Sequence, residues 1–367
     1  VTSTRELFGG RGQSKGYRTF NGRDKSGGRD KSGGRCQSKG YRTFNGRDKS
    51  GGRDKSRPYR KFTYAAVILL LILTGFGCRD ESSPEPTTAS SGAFAPITTG
   101  NYTLYPASDT AKATLILFGG FGQTPQDVID GFAIREACAQ HDVALLVSTF
   151  SQRLWLESAE KEHLTSVIDS AFKAHSLPAE RIAVGGFSSG GNIAALFSEH
   201  LLTSGTSLQP DYVCIVDAPI DLTALYQSAE MNVERDVSAI AVNEARWIIN
   251  RLQNTLGTPS IDRDAYLEAS PFSGDERYIR NVSALEGIPL RLYTEPDTSW
   301  WRKERGATPE QTNARQLKRL TLVLEEQGWQ QVELIETKNR GVRPDGTRHP
   351  HSWSIVEPNN LMSWILD

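Results

Sequence analysis

The chain has 367 residues, 38% hydrophobic and 23% charged, with a formal net charge of −1. The near-neutral total hides a split: residues 1–57 hold 16 Lys/Arg against 5 Asp/Glu, a net of +11, so residues 58–367 carry −12. An acidic main body excludes nucleic acid as its expected partner, and the four cysteines and six histidines fall in no metal-ligand spacing, so neither a metal nor another cofactor is expected.

In chain order, the first feature is a repeat. Residues 9–32 and 33–56 are the same 24-residue sequence except for Gly12 against Cys36. Two copies with almost no apolar residues cannot build a stacked core. The basic residues with Tyr17, Phe20, Tyr41 and Phe44 among them also fit a nucleic-acid-binding arm. Tandemly duplicated DNA read in frame accounts better for a near-perfect copy, and no methionine precedes Met231. Segment 1–57 is therefore read as a mispredicted start or a disordered arm, with no function assigned to it.

Segment 58–78 has the form of a secretory signal. Arg57-Pro58-Tyr59-Arg60-Lys61 is a basic head, FTYAAVILLLIL at 62–73 an apolar core, and Thr74-Gly75-Phe76-Gly77 leads to Cys78. The apolar stretch is short for a spanning helix. Its ending resembles a bacterial lipoprotein signal, which makes Cys78 the expected lipidated N-terminus; Gly75 stands where leucine is usual. A plain uncleaved anchor is the alternative, and either reading exports the folded part to the cell envelope, tethered to a membrane. Segment 79–96, rich in Ser, Pro, Thr and acidic residues, reads as a disordered tether.

Residues 97–367 suit a single α/β domain of ordinary size. Strands are predicted near 102–106, 113–118, 143–149, 181–186, 211–217, 289–294 and 331–337, and helices near 125–140, 158–175, 190–203, 309–327 and 358–366. Strands alternating with helices imply a mostly parallel sheet covered on both faces, which binds ligands beyond the carboxyl ends of its strands. The stretch of about 221–286 breaks the alternation. Within it, 222–256 reads as two helices with Leu225, Met231, Val233, Ile240, Trp247, Ile248 and Leu252 on an apolar face. Cys138 and Cys214 read as buried small hydrophobes, and a disulfide between them stays open.

The chemistry concentrates at RIAVGGFSSGGNIA, residues 181–194. This is a strand, a tight turn and a helix start carrying G-x-S-x-G around Ser188. A Cβ at Gly186 or Gly190 would crowd the neighbouring strand or helix, and the helix N-terminus favours a developing negative charge near Ser188. The two glycine pairs have no lysine after them, which excludes a phosphate-binding loop. Upstream, the apolar strand ATLILF at 113–118 runs into Gly119-Gly120-Phe121-Gly122-Gln123-Thr124-Pro125. This loop can offer the N–H of Gly120 or Phe121 to a substrate oxygen, with Ser189 N–H as the second donor. Downstream, PLRLYT at 289–294 reads as a strand leading into Glu295-Pro296-Asp297, and the last histidines, His349 and His351, follow near the C-terminus. His351 is preferred as the base because His349 is pinned before Pro350.

With elbow, glycine loop and the order Ser, acid, His in place, residues 97–367 resemble the α/β-hydrolase superfamily, closest to bacterial esterase-like members that place the acid after the seventh strand. The resemblance implies Ser188 as nucleophile, His351 as general base and Asp297 as orienting acid, with Asp217, at the end of the preceding strand, and Glu295 as alternative acids. Phe118 stands where many relatives have histidine. The insertion at about 221–286 is expected to form a helical cap, and Trp300, Trp301 and Trp353 to line a substrate groove or pack in the rim. The implied activity is carboxylic ester hydrolysis through an acyl-enzyme, on a small-molecule or glycan ester. A catalytically silent surface binding protein of the same fold, and a peptidase of the prolyl-oligopeptidase type, are the competing readings.

Overall fold

The computed structural model describes residues 95–108 and 110–367. The repeat, the signal segment with Cys78 and most of the tether lie outside the described residues. Among the described residues no helix is long and apolar enough to cross a membrane.

Eight strands form one sheet: β1 (Ile97–Thr98), β2 (Tyr102–Tyr105), β3 (Ala113–Phe118), β4 (Val143–Ser148), β5 (Ile182–Phe187), β6 (Tyr212–Val216), β7 (Leu290–Thr294) and β8 (Val332–Glu336). Their spatial order is β1-β2-β4-β3-β5-β6-β7-β8. The pairs β1–β2 and β2–β4 are antiparallel and every other pair is parallel. A mostly parallel sheet in this order, with helices on both faces and a helical insertion between β6 and β7, is the α/β-hydrolase fold.

Strand alternation builds the two layers. In β3, Ile116 and Phe118 point to the face that packs α3 (Ser158–His175) and α4 (Ser189–Thr203) through Ile168, Phe172, Ile193 and Phe197. Leu115 and Leu117 point the other way, against Val128 of α1 (Pro125–Gly131), Ile134 of α2 (Ile134–Gln140) and Met362 of α10 (Pro358–Leu366). Side chains two apart share a face, so a fully apolar six-residue run serves both cores. Edge strand β8 is only partly buried and sets Glu333 and Glu336 toward solvent. Charges on an edge discourage pairing with another chain.

The predicted helix over 125–140 divides at Phe132, whose backbone is extended. The division has a packing cause. Gly131 approaches Trp353 so closely that a Cβ would overlap the indole, and Phe132 stacks on the same ring at 4.7 Å. The insertion holds α5 (Leu222–Arg235), α6 (Ala239–Leu256) and a further short helix, α7 (Arg263–Ala269). Asp221 anchors it, one carboxylate oxygen capping α5 at Ala224 N and the other accepting from Gly274 N. Two α-helices lie between β7 and β8. Eight-residue α8 (Thr298–Arg305) lies in a stretch for which the sequence predicts no element, and α9 (Asn313–Glu326) follows. Cys138 and Cys214 are both free and buried. Burial pushes the Cys214 thiol up to about 12, so it behaves as an inert apolar group.

Candidate active site

The carboxyl ends of β3, β5, β6 and β7 supply the site, as the parallel topology requires. Ser188 sits between β5 and α4 with φ +53° and ψ −128°, in the left-handed region that a β-carbon disfavours. The turn is held by Ser188 N–H donating to Val216 O and Gly191 N–H to Ser188 O, each at 2.9 Å. A Cβ on Gly186 would run into the Gly190 carbonyl, and one on Gly190 into the carbonyls of Phe118 and Gly119. All of these are backbone atoms with nowhere to move, so both positions demand glycine.

His351 Nε2 lies 3.0 Å from Ser188 Oγ, and its Nδ1 lies 2.6 Å from Asp217 Oδ2. The imidazole packs on Phe187 at a ring-centroid distance of 4.5 Å. Asp217 is fixed on every side. Its N–H donates to Tyr293 O at 2.8 Å, Thr294 Oγ1 donates to its Oδ1 at 2.6 Å, and Asn313 Nδ2 donates to its carbonyl at 2.7 Å. Its side chain is 5% exposed. The second carboxylate oxygen is thereby left aimed at the imidazole.

Asp297, the acid preferred from the sequence, is a correction: it does not touch His351. Its Oδ1 caps α8 by accepting from Trp300 N at 3.0 Å, and its Oδ2 pairs with Arg348 at 2.8 Å. Glu295 is corrected in the same way. It is 2% exposed, pairs with Arg348, and accepts from Thr337 Oγ1, Arg340 N and Gly341 N at 2.8–3.0 Å. Both carboxylates brace the loop that carries His351 instead of contacting the imidazole. Sequence reasoning missed Arg348; a cation three residues before the histidine was the available sign that nearby acids already had a partner.

The glycine loop approaches the nucleophile closely: a Cβ on Gly120 would lie 3.3 Å from Ser188 Cβ. The Gly120 N–H is nevertheless taken, donating to Gln123 Oε1 at 2.7 Å. Of the two loop donors anticipated, Phe121 N–H makes no hydrogen bond among the described residues; Ser189 N–H opens α4, where no carbonyl of that helix reaches. The same Gln123 Oε1 accepts from Trp353 Nε1 at 3.1 Å. One amide oxygen thus ties the glycine loop to the histidine loop. Its role was not evident from its position in a turn motif.

Trp353 is 2% exposed and packs between Phe132 and Phe187, so it serves mainly as supporting core, with one edge reaching the cavity beside His351. Trp300 and Trp301 are half-buried and meet the ring of His349 edge-on at 4.5 and 5.9 Å. Burial holds the His349 imidazole down to about 3, helped by the charges of Arg343, His351 and Arg305, so it stays neutral and does not compete with His351 for protons. From above, Trp247 of α6 meets Phe121 at 4.6 Å, which brings the helical insertion onto the glycine loop as a cap.

No protein-family model matches the chain, and no curated protein matches it at a significant level. Among solved structures, the chain is similar to an S-formylglutathione hydrolase from Staphylococcus aureus (11% identity, 74% of this chain and 97% of that one, TM-score 0.43). It is similar also to an esterase from Pyrobaculum calidifontis (14% identity, 74% and 84%, TM-score 0.47) and to a fungal esterase from Rhizomucor miehei (16% identity, 74% and 81%, TM-score 0.45).

Proposed function

We propose that the protein is a serine hydrolase of carboxylic esters. The observation that carries this reading is the hydrogen-bonded row from Ser188 Oγ through the His351 imidazole to Asp217. A serine hydroxyl is a weak nucleophile until a base takes its proton. His351 Nε2 is within reach of that proton, and Asp217 favours the tautomer with Nδ1 protonated, which leaves Nε2 free to accept.

Ser188 Oγ attacks the ester carbonyl carbon, its proton passes to His351 Nε2, and the carbonyl oxygen becomes an oxyanion received by Phe121 N–H and Ser189 N–H. The carbon–oxygen bond to the alcohol then breaks as His351 returns the proton to the departing oxygen. Water, deprotonated by the same imidazole, attacks the acyl-enzyme and releases the acid. Each role falls on a group already fixed by the surrounding fold, which is what electrostatic preorganisation requires.

A fluorophosphonate probe tests the reading. The intact chain is expected to be labelled at Ser188, with labelling abolished in Ser188→Ala and strongly slowed in His351→Ala. A properly folded chain that takes no label would instead support a binding protein built on the same fold.

A further inference from the structure

Beside the row of Ser188, His351 and Asp217 lies a cavity of about 450 Å³. Its walls are mostly apolar, with Phe187 and Trp353 among them, and carry the polar groups of His351, Gln123, Asp127, Asp130 and Arg343, while Ser188 does not line it. A space that reaches the base without reaching the nucleophile holds the part of the substrate bonded to the atom His351 protonates. In ester hydrolysis that atom is the alcohol oxygen: the acyl carbon–oxygen bond breaks, the bonding pair stays on the alcohol oxygen, and the proton taken from Ser188 is delivered to it.

The polar groups of the wall narrow the class of alcohol. Gln123 Oε1 is held by two donors, Gly120 N–H and Trp353 Nε1–H, so the amide cannot flip without losing both, and its NH₂ is left to donate elsewhere. Asp130 Oδ1 accepts from Gln126 Nε2 at 2.7 Å, and Oδ2 has no partner among the described residues. Arg343 makes no side-chain ion pair among the described residues. Donors and acceptors therefore stand together, with charges of both signs. A cationic alcohol would meet Arg343 and an anionic one the two aspartates, whereas a neutral hydroxyl both donates and accepts. Phe187 provides an apolar floor for carbon-bound hydrogens.

We propose that this cavity is the alcohol subsite and that it takes a neutral polyhydroxy leaving group, a sugar or glycerol. The proposal rests on the ester-hydrolase reading and deepens it by naming the substrate class.

The test holds the acyl group constant and varies the alcohol. The kcat/KM of the full chain is measured on 6-O-acetylglucose, glycerol monoacetate and n-butyl acetate. At least one polyhydroxy ester is expected to be favoured over butyl acetate by about tenfold or more, the worth of a hydrogen bond to a charged group. A preference for the glucose ester assigns a sugar, and one for the glycerol ester a glyceride. Asp130→Ala and Arg343→Ala, both at exposed positions, should each lower that ratio by about tenfold with an unchanged urea midpoint. A ratio near one in the parent chain, or one that neither substitution changes, would overturn the proposal. Fluorophosphonate labelling of Ser188 is read in the same samples: labelling with no alcohol preference refutes only the subsite, and absent labelling refutes the hydrolase reading beneath it.

Discussion

Replacing Asp217 with asparagine should be the most damaging near-isosteric change in the site, and the surrounding hydrogen bonds say why. Thr294 Oγ1 donates to Asp217 Oδ1, so an asparagine there would keep its carbonyl oxygen toward Thr294 and turn its NH₂ toward His351 Nδ1. An amide N–H facing Nδ1 selects the imidazole tautomer protonated at Nε2, which cannot take the Ser188 proton. For serine proteases this error costs about 10⁴ in turnover, equivalent to about 5 kcal/mol of transition-state stabilisation. Asp297→Asn is the matched control. Asparagine is as good an N-cap as aspartate, and only the ion pair to Arg348 is weakened, about 0–1 kcal/mol for a pair of this exposure. Initial rates on p-nitrophenyl acetate, with circular dichroism to confirm folding, decide the matter. An inactive Asp297→Asn beside a nearly normal Asp217→Asn would refute the assignment of the acid.

Ser188→Ala and His351→Ala should each lower ester turnover by several orders of magnitude, and the double variant by little more, because the groups act as a unit; additive losses in kcat would show that they do not. Arg348→Ala removes the cation from buried Glu295 but leaves its three other donors, so a loss of about 2 kcal/mol in a urea titration is expected, together with a lower kcat; an unchanged midpoint would remove Arg348 from the bracing of the His351 loop. His349 is neutral in the folded state down to about 3, whereas in the unfolded chain it takes a proton near its ordinary value of about 6.5. Stability should therefore be full above that value and fall as pH drops toward 3, and His349→Phe should show a smaller decline in urea midpoint between pH 7 and pH 5 than the parent chain; equal declines would place the acid sensitivity elsewhere. In a bacterial host, Cys78→Ala should move the chain out of the membrane fraction if that cysteine carries the lipid, and retention there would favour an uncleaved anchor.

What could be read from the sequence divides along physical lines. Strands β3 to β6 are legible because each is a short, largely apolar run buried on both faces, a pattern that local composition dictates; β7 keeps the same signal in Leu290, Leu292 and Tyr293 despite Arg291. The turn at Ser188 is legible because it needs glycine at fixed offsets on either side. Elements that depend on distant partners are not legible. The break at Phe132 exists because Trp353, more than two hundred residues later, packs against Gly131. Helix α8 starts where Asp297 caps it, and an aspartate before a threonine, a serine and two tryptophans is a weak local sign that competed with a catalytic role for the same residue. Occupation of the Gly120 N–H by Gln123 is likewise a matter of side-chain direction, invisible in the order of residues.

The position of the acid shows why chain order alone underdetermines the site. Strands β6 and β7 are adjacent and parallel, with Val216 opposite Tyr293, so the residues just beyond each end lie about one strand spacing of 4.8 Å apart. An acid on either strand satisfies the order Ser, acid, His. The competing demands on the candidate carboxylates decide between them. Glu295 and Asp297 both face Arg348, and a partly buried guanidinium on the loop that brings in the histidine requires anions close by. Among the described residues no Lys or Arg lies within ion-pair distance of Asp217, whose partner is the His351 imidazole, and its positive φ of 42° turns the chain at the end of β6 so that Thr294 and Tyr293 can hold it. Two acids thus anchor the loop and a third meets the imidazole that the loop delivers. Arg348→Ala offers an independent check on this division of labour: it should free Asp297 from its ion pair yet leave Asp217 as the residue whose loss abolishes turnover, and rescue of Asp217→Asn by the free Asp297 carboxylate would show the two positions to be interchangeable after all.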